Sequence, residues 1–240
     1  MMRFLLLLMF TASLSFGQIA QIAQVATNTT SASTNMSGAN LLVACITGYY
    51  ADPCATPGSG GSTITDSQGN TWTQVGTSRT VGSTGHCIRY SNTASCSSPP
   101  CVSATHTFTI SGGHPTIQVF GFSGAASSPV DTGIAASTTA SSTSIQAGSV
   151  TPSVGGDVLL ACVTGGGPLP SPSINSSFST PLTGLSDNGS VRGAGSYYVQ
   201  STAGAINPTW SWSGSYSVAA GIAAFKKATE TASVKRRLIQ

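Results

Sequence analysis

The segment Gly38-Ala39-Asn40-Leu41-Leu42-Val43-Ala44-Cys45-Ile46-Thr47-Gly48 returns 117 positions later as Gly155-Gly156-Asp157-Val158-Leu159-Leu160-Ala161-Cys162-Val163-Thr164-Gly165. Each copy is apolar on both faces for about seven residues and is closed by glycine at both ends. Such a run reads as a strand buried in the middle of a sheet, because a half-exposed strand would alternate apolar and polar residues. A chain with two such strands at matching places is expected to fold as two related halves around a β core.

The segments between the copies support that reading. Thr105-His106-Thr107-Phe108-Thr109-Ile110 alternates strictly, with Phe108 and Ile110 inward. Gly85 to Tyr90 and Thr116 to Phe122 complete a first set of strands. In the second half, Ile174 to Phe178 stands where Ile64 to Trp72 stood, Ser196 to Val199 where Cys87 to Tyr90 stood, and Thr209 to Gly214 where Thr107 to Gly112 stood. Ile64 to Thr73 reads as two short strands joined by a turn, with Asp66 bonding backbone groups ahead of it and Gly69 free to take positive φ. Gln18 to Thr27 fits a helix or a leading strand equally. The expected domains are residues 1–17 as a signal peptide and 18–227 as the sandwich, followed by a basic tail over 228–240. Within the sandwich the halves cover about 18–124 and 143–227, with a Ser/Thr/Ala linker over about 125–142.

Charge narrows the partners. Charged residues are 6% of the chain, against about 25% in an ordinary soluble domain. Between Gln18 and Phe225 five aspartates face three arginines, so the body is mildly acidic although the chain as a whole carries +3. The excess positive charge sits in Arg3 and in a tail with Lys226, Lys227, Lys235, Arg236 and Arg237. Basic residues interleaved with aromatics are absent from the body, which argues against nucleic acid. Met1 to Gly17 has one early arginine, an apolar run from Phe4 to Phe10 and small residues before Gln18. This is the pattern of a secretory signal cleaved near Gly17. The apolar runs fall short of the ~20 residues a membrane helix needs, so the expectation is a protein that is secreted, extracellular or periplasmic.

The motifs Ala39-Asn40-Leu41-Leu42, Gly69-Asn70-Thr71-Trp72, Ser123-Gly124 with Pro129-Val130-Asp131, Gly156-Asp157-Val158-Leu159-Leu160 and Ala223-Ala224-Phe225-Lys226 occur in that order. In this order they resemble a family of exported bacterial and phage-associated β-sandwich domains with duplicated Gly-Asp-Leu-Leu halves, over roughly residues 20 to 227. The resemblance implies an all-β, jelly-roll-like sandwich made from both halves, found on secreted, cell-surface or tail-fibre proteins. It supplies no catalytic residues. Two tandem immunoglobulin-like sandwiches are the alternative architecture.

Export makes the six cysteines Cys45, Cys54, Cys87, Cys96, Cys101 and Cys162 candidates for disulfides. Cys96 and Cys101 flank the short turn Ser97-Ser98-Pro99-Pro100, the first pair expected. Cys45 and Cys162 occupy matching strand positions and either bridge or pack as small hydrophobes. Cys96, Cys101, His106 and His114 could make a zinc site, and Asp66 with Asn70 a structural calcium site, though a plain turn explains the latter residues. Asp52, Asp66, Asp131, Asp157 and Asp187 are the only acids available for hydrolysis, and all but Asp52 sit in settings with a structural explanation. Gly-x-Ser-x-Gly, the elbow of a serine hydrolase, does not occur. The residues placed to hold a ligand are aromatic: Tyr49 and Tyr50 in a long loop, Trp72 after its turn, and Tyr197 and Tyr198 on a strand. Flat rings edged by hydrogen-bonding groups suit a sugar. Trp210 and Trp212 replace Phe108 and Ile110 and so belong to the core. The expected function is a secreted, non-catalytic module that binds a polysaccharide or cell-surface glycan, or mediates surface attachment. A glycan-active hydrolase or lyase and a structural subunit of a surface layer or filament are the competing classes.

Overall fold

The structure, a computed structural model, describes residues 18–49, 53–54, 61–82, 84–93, 101–112, 114–175, 177–185 and 189–229. The proposed signal segment, Tyr50, Asp52, Cys96, Asp187 and most of the tail lie outside them. The described chain is an all-β sandwich. In chain order the strands are β1 (Ala20–Thr27), β2 (Leu41–Tyr49), β3 (Thr63–Asp66), β4 (Thr73–Val81), β5 (Thr84–Ser91), β6 (Phe108–Ser111), β7 (Pro115–Ser123), β8 (Ala125–Gln146), β9 (Asp157–Gly165), β10 (Ser173–Ile174), β11 (Leu182–Leu185), β12 (Val191–Gln200) and β13 (Thr209–Lys227).

The first main sheet runs β1-β7-β2-β5-β4 and the second β10-β13-β9-β12-β11, with β8 also paired to β13. All pairings are antiparallel, and the two copies of the apolar segment, β2 and β9, are each central, flanked on both sides. Each sheet comes from one half of the sequence. The all-β sandwich expectation therefore holds as two facing antiparallel sheets, but without jelly-roll connectivity, in which strands alternate between sheets: the chain crosses between them once, at Gly124, which takes a φ of 78° between β7 and β8.

Three layers of apolar side chains explain why β2 and β9 carry no alternation. Leu41, Val43, Cys45, Phe120 and Phe122 face Val158, Leu160, Cys162, Ala223 and Phe225 between the sheets. The other face of the first sheet, with Leu42, Ala44, Ile46, Ile117 and Val119, is covered by Met36, Ile64, Phe108 and Ile110. That of the second sheet, with Leu159, Ala161, Val163, Ile222 and Ala224, is covered by Val150, Leu169, Trp210 and Trp212. Fully burying one side chain such as Phe120 contributes about 2–3 kcal/mol, so a strand buried on both faces is among the most stabilising in the molecule. Trp210 and Trp212 are core, as their spacing predicts.

The disulfide Cys45–Cys162 joins the two sheets through the central layer, with a Cα–Cα separation of 5.8 Å. A cross-link closing 117 residues restricts the unfolded chain by about 4–5 kcal/mol on the chain-entropy scale. Cys54–Cys87 ties the long loop to β5. Cys101 is disulfide-bonded as well; Cys96, the partner expected for it, lies outside the described residues.

Two expectations are corrected. The segment 125–142 is the body of β8, a long strand paired with β13. Residues 64–73 do not form a hairpin: β3 pairs with β6 in the outer layer while β4 pairs with β5 in the main sheet. Of the two readings of residues 18–27, the leading strand holds.

At the end of the sandwich beyond Cys45 the interior turns polar. Thr47, Thr84, His86, Thr116, Gln118 and Thr164 are all buried there. Their hydroxyls are satisfied locally: Thr84 Oγ1 donates to the Gly48 carbonyl at 3.0 Å and shares a bond with Thr164 Oγ1 at 3.1 Å, and Thr47 Oγ1 donates to the Thr116 carbonyl. The second sheet answers with glycine. A Cβ at Gly193 would collide with Thr47, and one at Gly221 with the His86 ring, so the sheets close in on each other at this end.

Candidate functional site

Two of the sequence-flagged groups converge on Asp66. Its Oδ1 accepts the N–H of Gln68 at 2.9 Å, the N–H of Asn70 at 3.3 Å and the Asn70 side-chain amide at 3.1 Å, and its Oδ2 accepts the Trp72 indole N–H at 2.9 Å. His106 Nε2 lies 3.4 Å away with both side chains fully buried. Burial pushes the Asp66 carboxyl up, yet His106 and the N–H donors of Gln68, Asn70 and Trp72 outweigh it and hold the group below its ordinary range. Gly69 takes the expected positive φ, 68°. Trp72 stands edge-on to Phe108 and His106 stacks on the same ring, so Trp72 belongs to the outer layer over the first sheet and is no open platform.

The groups bonded to Asp66 are nitrogen donors, and the Asn70 Oδ1 that the calcium reading calls on is buried with no hydrogen-bond partner. Of the zinc set, Cys101 is disulfide-bonded and His106 lies against Asp66, while Cys96 lies outside the described residues. Among the described residues no group of three or more His, Cys, Asp or Glu could hold a metal.

Tyr197 and Tyr198 point to opposite faces of β12, and both faces are covered. Tyr197 packs edge-on to Phe120 and Phe122 between the sheets, its hydroxyl donating to Gln21 Oε1 at 2.9 Å. Tyr198 packs against Phe178 on the outer side. Both rings are half-buried by these contacts. Tyr49 is the last residue of β2, opposite Thr84.

Asp131 and Asp157 are brought together, both buried. Asp131 Oδ2 accepts the Ser153 N–H at 2.6 Å and Asp157 Oδ1 the Lys227 N–H at 3.2 Å. Burial, and then the facing Asp131 carboxyl, push Asp157 up to about 6.

A further concavity, formed by described residues, involves none of these. At the polar, closed-in end of the sandwich a cleft of about 390 Å³ lies between the β4–β5 turn at Gly82, Ser141 of β8, Gly166, and Ser215-Tyr216-Ser217 of β13. Tyr216 owes its orientation to a bulged stretch: the β8–β13 register shifts on both sides of it, and Gly214 just before takes a φ of 87°. Bulges re-aim a side chain that regular alternation would place elsewhere. The half-buried ring lies against Gly167 and Gly214, where a Cβ would meet it. Hydroxyls edge the ring: Ser141 Oγ and Ser215 Oγ are 2.8 Å apart, and Ser217 Oγ donates to the Ala140 carbonyl. Apart from the Tyr216 phenol, the lining carries no ionisable side chain among the described residues. The floor is fixed from below, since the buried Arg192 guanidinium donates to the Gly166 carbonyl at 2.8 Å. A second depression of about 380 Å³, between the edge strands β1 and β11, has no aromatic residue.

Tyr216 is absent from the residues flagged by sequence. The signal that could have found it is an aromatic set between serines directly after Gly214, in a strand whose apolar run starts only at Val218. Compared with known protein families, curated proteins and solved structures, the chain matches none of them.

Proposed function

We propose that the chain is a secreted, non-catalytic β-sandwich module that binds a carbohydrate, in the manner of a cell-surface attachment domain, and that the Tyr216 cleft is where it does so. The observation that carries this reading is one aromatic ring, held by glycines and edged by serine hydroxyls, in an uncharged cleft large enough for a sugar unit. An apolar pyranose face lies on such a ring while its hydroxyls exchange bonds with the serines. The disulfides support an oxidising compartment, in keeping with the proposed signal segment and the resemblance to exported sandwich domains. Among the described residues no helix is long and apolar enough to cross a membrane.

The test is affinity electrophoresis against a panel of polysaccharides. At least one is expected to retard the wild-type protein, and Tyr216→Ala to abolish that retardation with its unfolding midpoint unchanged. Retardation that survives Tyr216→Ala would remove the cleft from the account.

A further inference from the structure

Asp157 and Asn40 occupy the same place in the two copies of the apolar segment, and they serve the same purpose by different means. Asn40 donates its side-chain amide to the Ala125 carbonyl at 2.7 Å and accepts the Ala125 N–H at 3.0 Å, clamping the start of β2 to the chain leaving β7. Asp157 accepts the Lys227 N–H at the matching exit from β13, but an ionised carboxylate has nothing to donate. Its Oδ2 is buried and meets no donor, and the group it faces is the carboxyl of Asp131. Asp131 in turn holds the Ser153 N–H, in the loop that leads into β9. One proton placed between the two carboxyls would convert Asp157 into the donor that Asn40 already is.

We propose that Asp131 and Asp157 share a proton in mildly acidic surroundings and so form a pH-sensitive latch, which pins the starts of β8 and β9 to the end of β13 and loosens as the pair loses that proton. The charged groups that act on the pair are few. Lys226 favours the ionised form and the Lys227 N–H does the same, while the like charge of Asp131 opposes it. The Lys227 side chain runs past Gly156, close enough that a Cβ there would strike it.

The sign follows from linkage. The folded state holds the Asp157 proton more tightly than the unfolded chain, whose ordinary value is 3.8. The latch's stabilisation is therefore fully present below that value and is lost as pH rises through about 6. Between pH 8 and pH 5 a shift of this size lowers the unfolding equilibrium constant by about tenfold. The measurement is a difference between two proteins, so that contributions from all other groups cancel. Urea unfolding of the full chain at pH 5 and pH 8 is expected to show that tenfold ratio in the wild type over and above Asp157→Asn, in which the amide supplies a permanent donor. Should the variant fail to fold, carboxyl-carbon NMR of the wild type decides: one aspartate should titrate near 6, and Asp131→Asn should bring its midpoint down. Parallel pH profiles in wild type and Asp157→Asn, or no aspartate titrating above the ordinary range, would overturn the latch.

Discussion

The outer faces of the two main sheets are both covered, but by different chemistry. Over the first sheet the cover is pinned by an ionised carboxylate: Asp66 collects the turn 66–70, the Trp72 indole and His106, and the two rings clasp Phe108. Over the second sheet the same place is filled by the rings of Trp210 and Trp212. The two acids that structure the halves are also shifted in opposite directions. Asp66 is held below its ordinary range by donors, and Asp157 is pushed above it by burial beside another acid. Similar scaffolds can thus be secured either by satisfying a charge or by leaving charge out, and the choice appears in how each half responds to truncation and to pH.

Truncation should separate them most. Trp210 is fully buried, and Trp210→Ala is expected to cost about 3–5 kcal/mol through lost packing and the cavity left behind. That loss should be nearly independent of pH, measured by urea unfolding at pH 4 and pH 7. Asp66→Asn should cost less, about 2–3 kcal/mol at neutral pH, because the shape survives while the charge-assisted bonds to His106 and the N–H donors weaken. Its cost should vanish in acid. A carboxyl whose folded value lies below its unfolded one contributes stability above the unfolded value and loses it as pH falls through the folded one. A strongly pH-dependent Trp210→Ala penalty, or an Asp66→Asn penalty that persists at pH 2, would erase the distinction between the two covers.

How much of this was readable beforehand differs by element for physical reasons. β2 and β9 were legible because seven uninterrupted apolar residues between glycines have one good explanation, burial on both faces. Phe108, Ile110, Trp210 and Trp212 were legible as inward-facing, and Asp66 and Gly69 as a turn. β8 was not, because Ser, Thr and Ala alternate no hydrophobicity; its conformation is imposed by register with β13, a non-local cause. The tyrosines of β12 misled for a related reason. Alternation assigns residues to two faces but cannot say that a further layer covers the outer one. Tyr216 escaped because its orientation follows from a bulge, and bulges are set by pairing partners rather than by the residue itself. Cys54–Cys87 closes a loop whose reach no local pattern predicts.

Everything in this account depends on the two repeated strands facing each other across the central layer, one from each half. Disulfide mapping of the non-reduced protein tests that directly. Proteolysis followed by mass spectrometry should recover the Cys45 peptide linked to the Cys162 peptide, as the facing sheets place them. Recovery of Cys45 linked to any other cysteine would mean that the halves do not share one core.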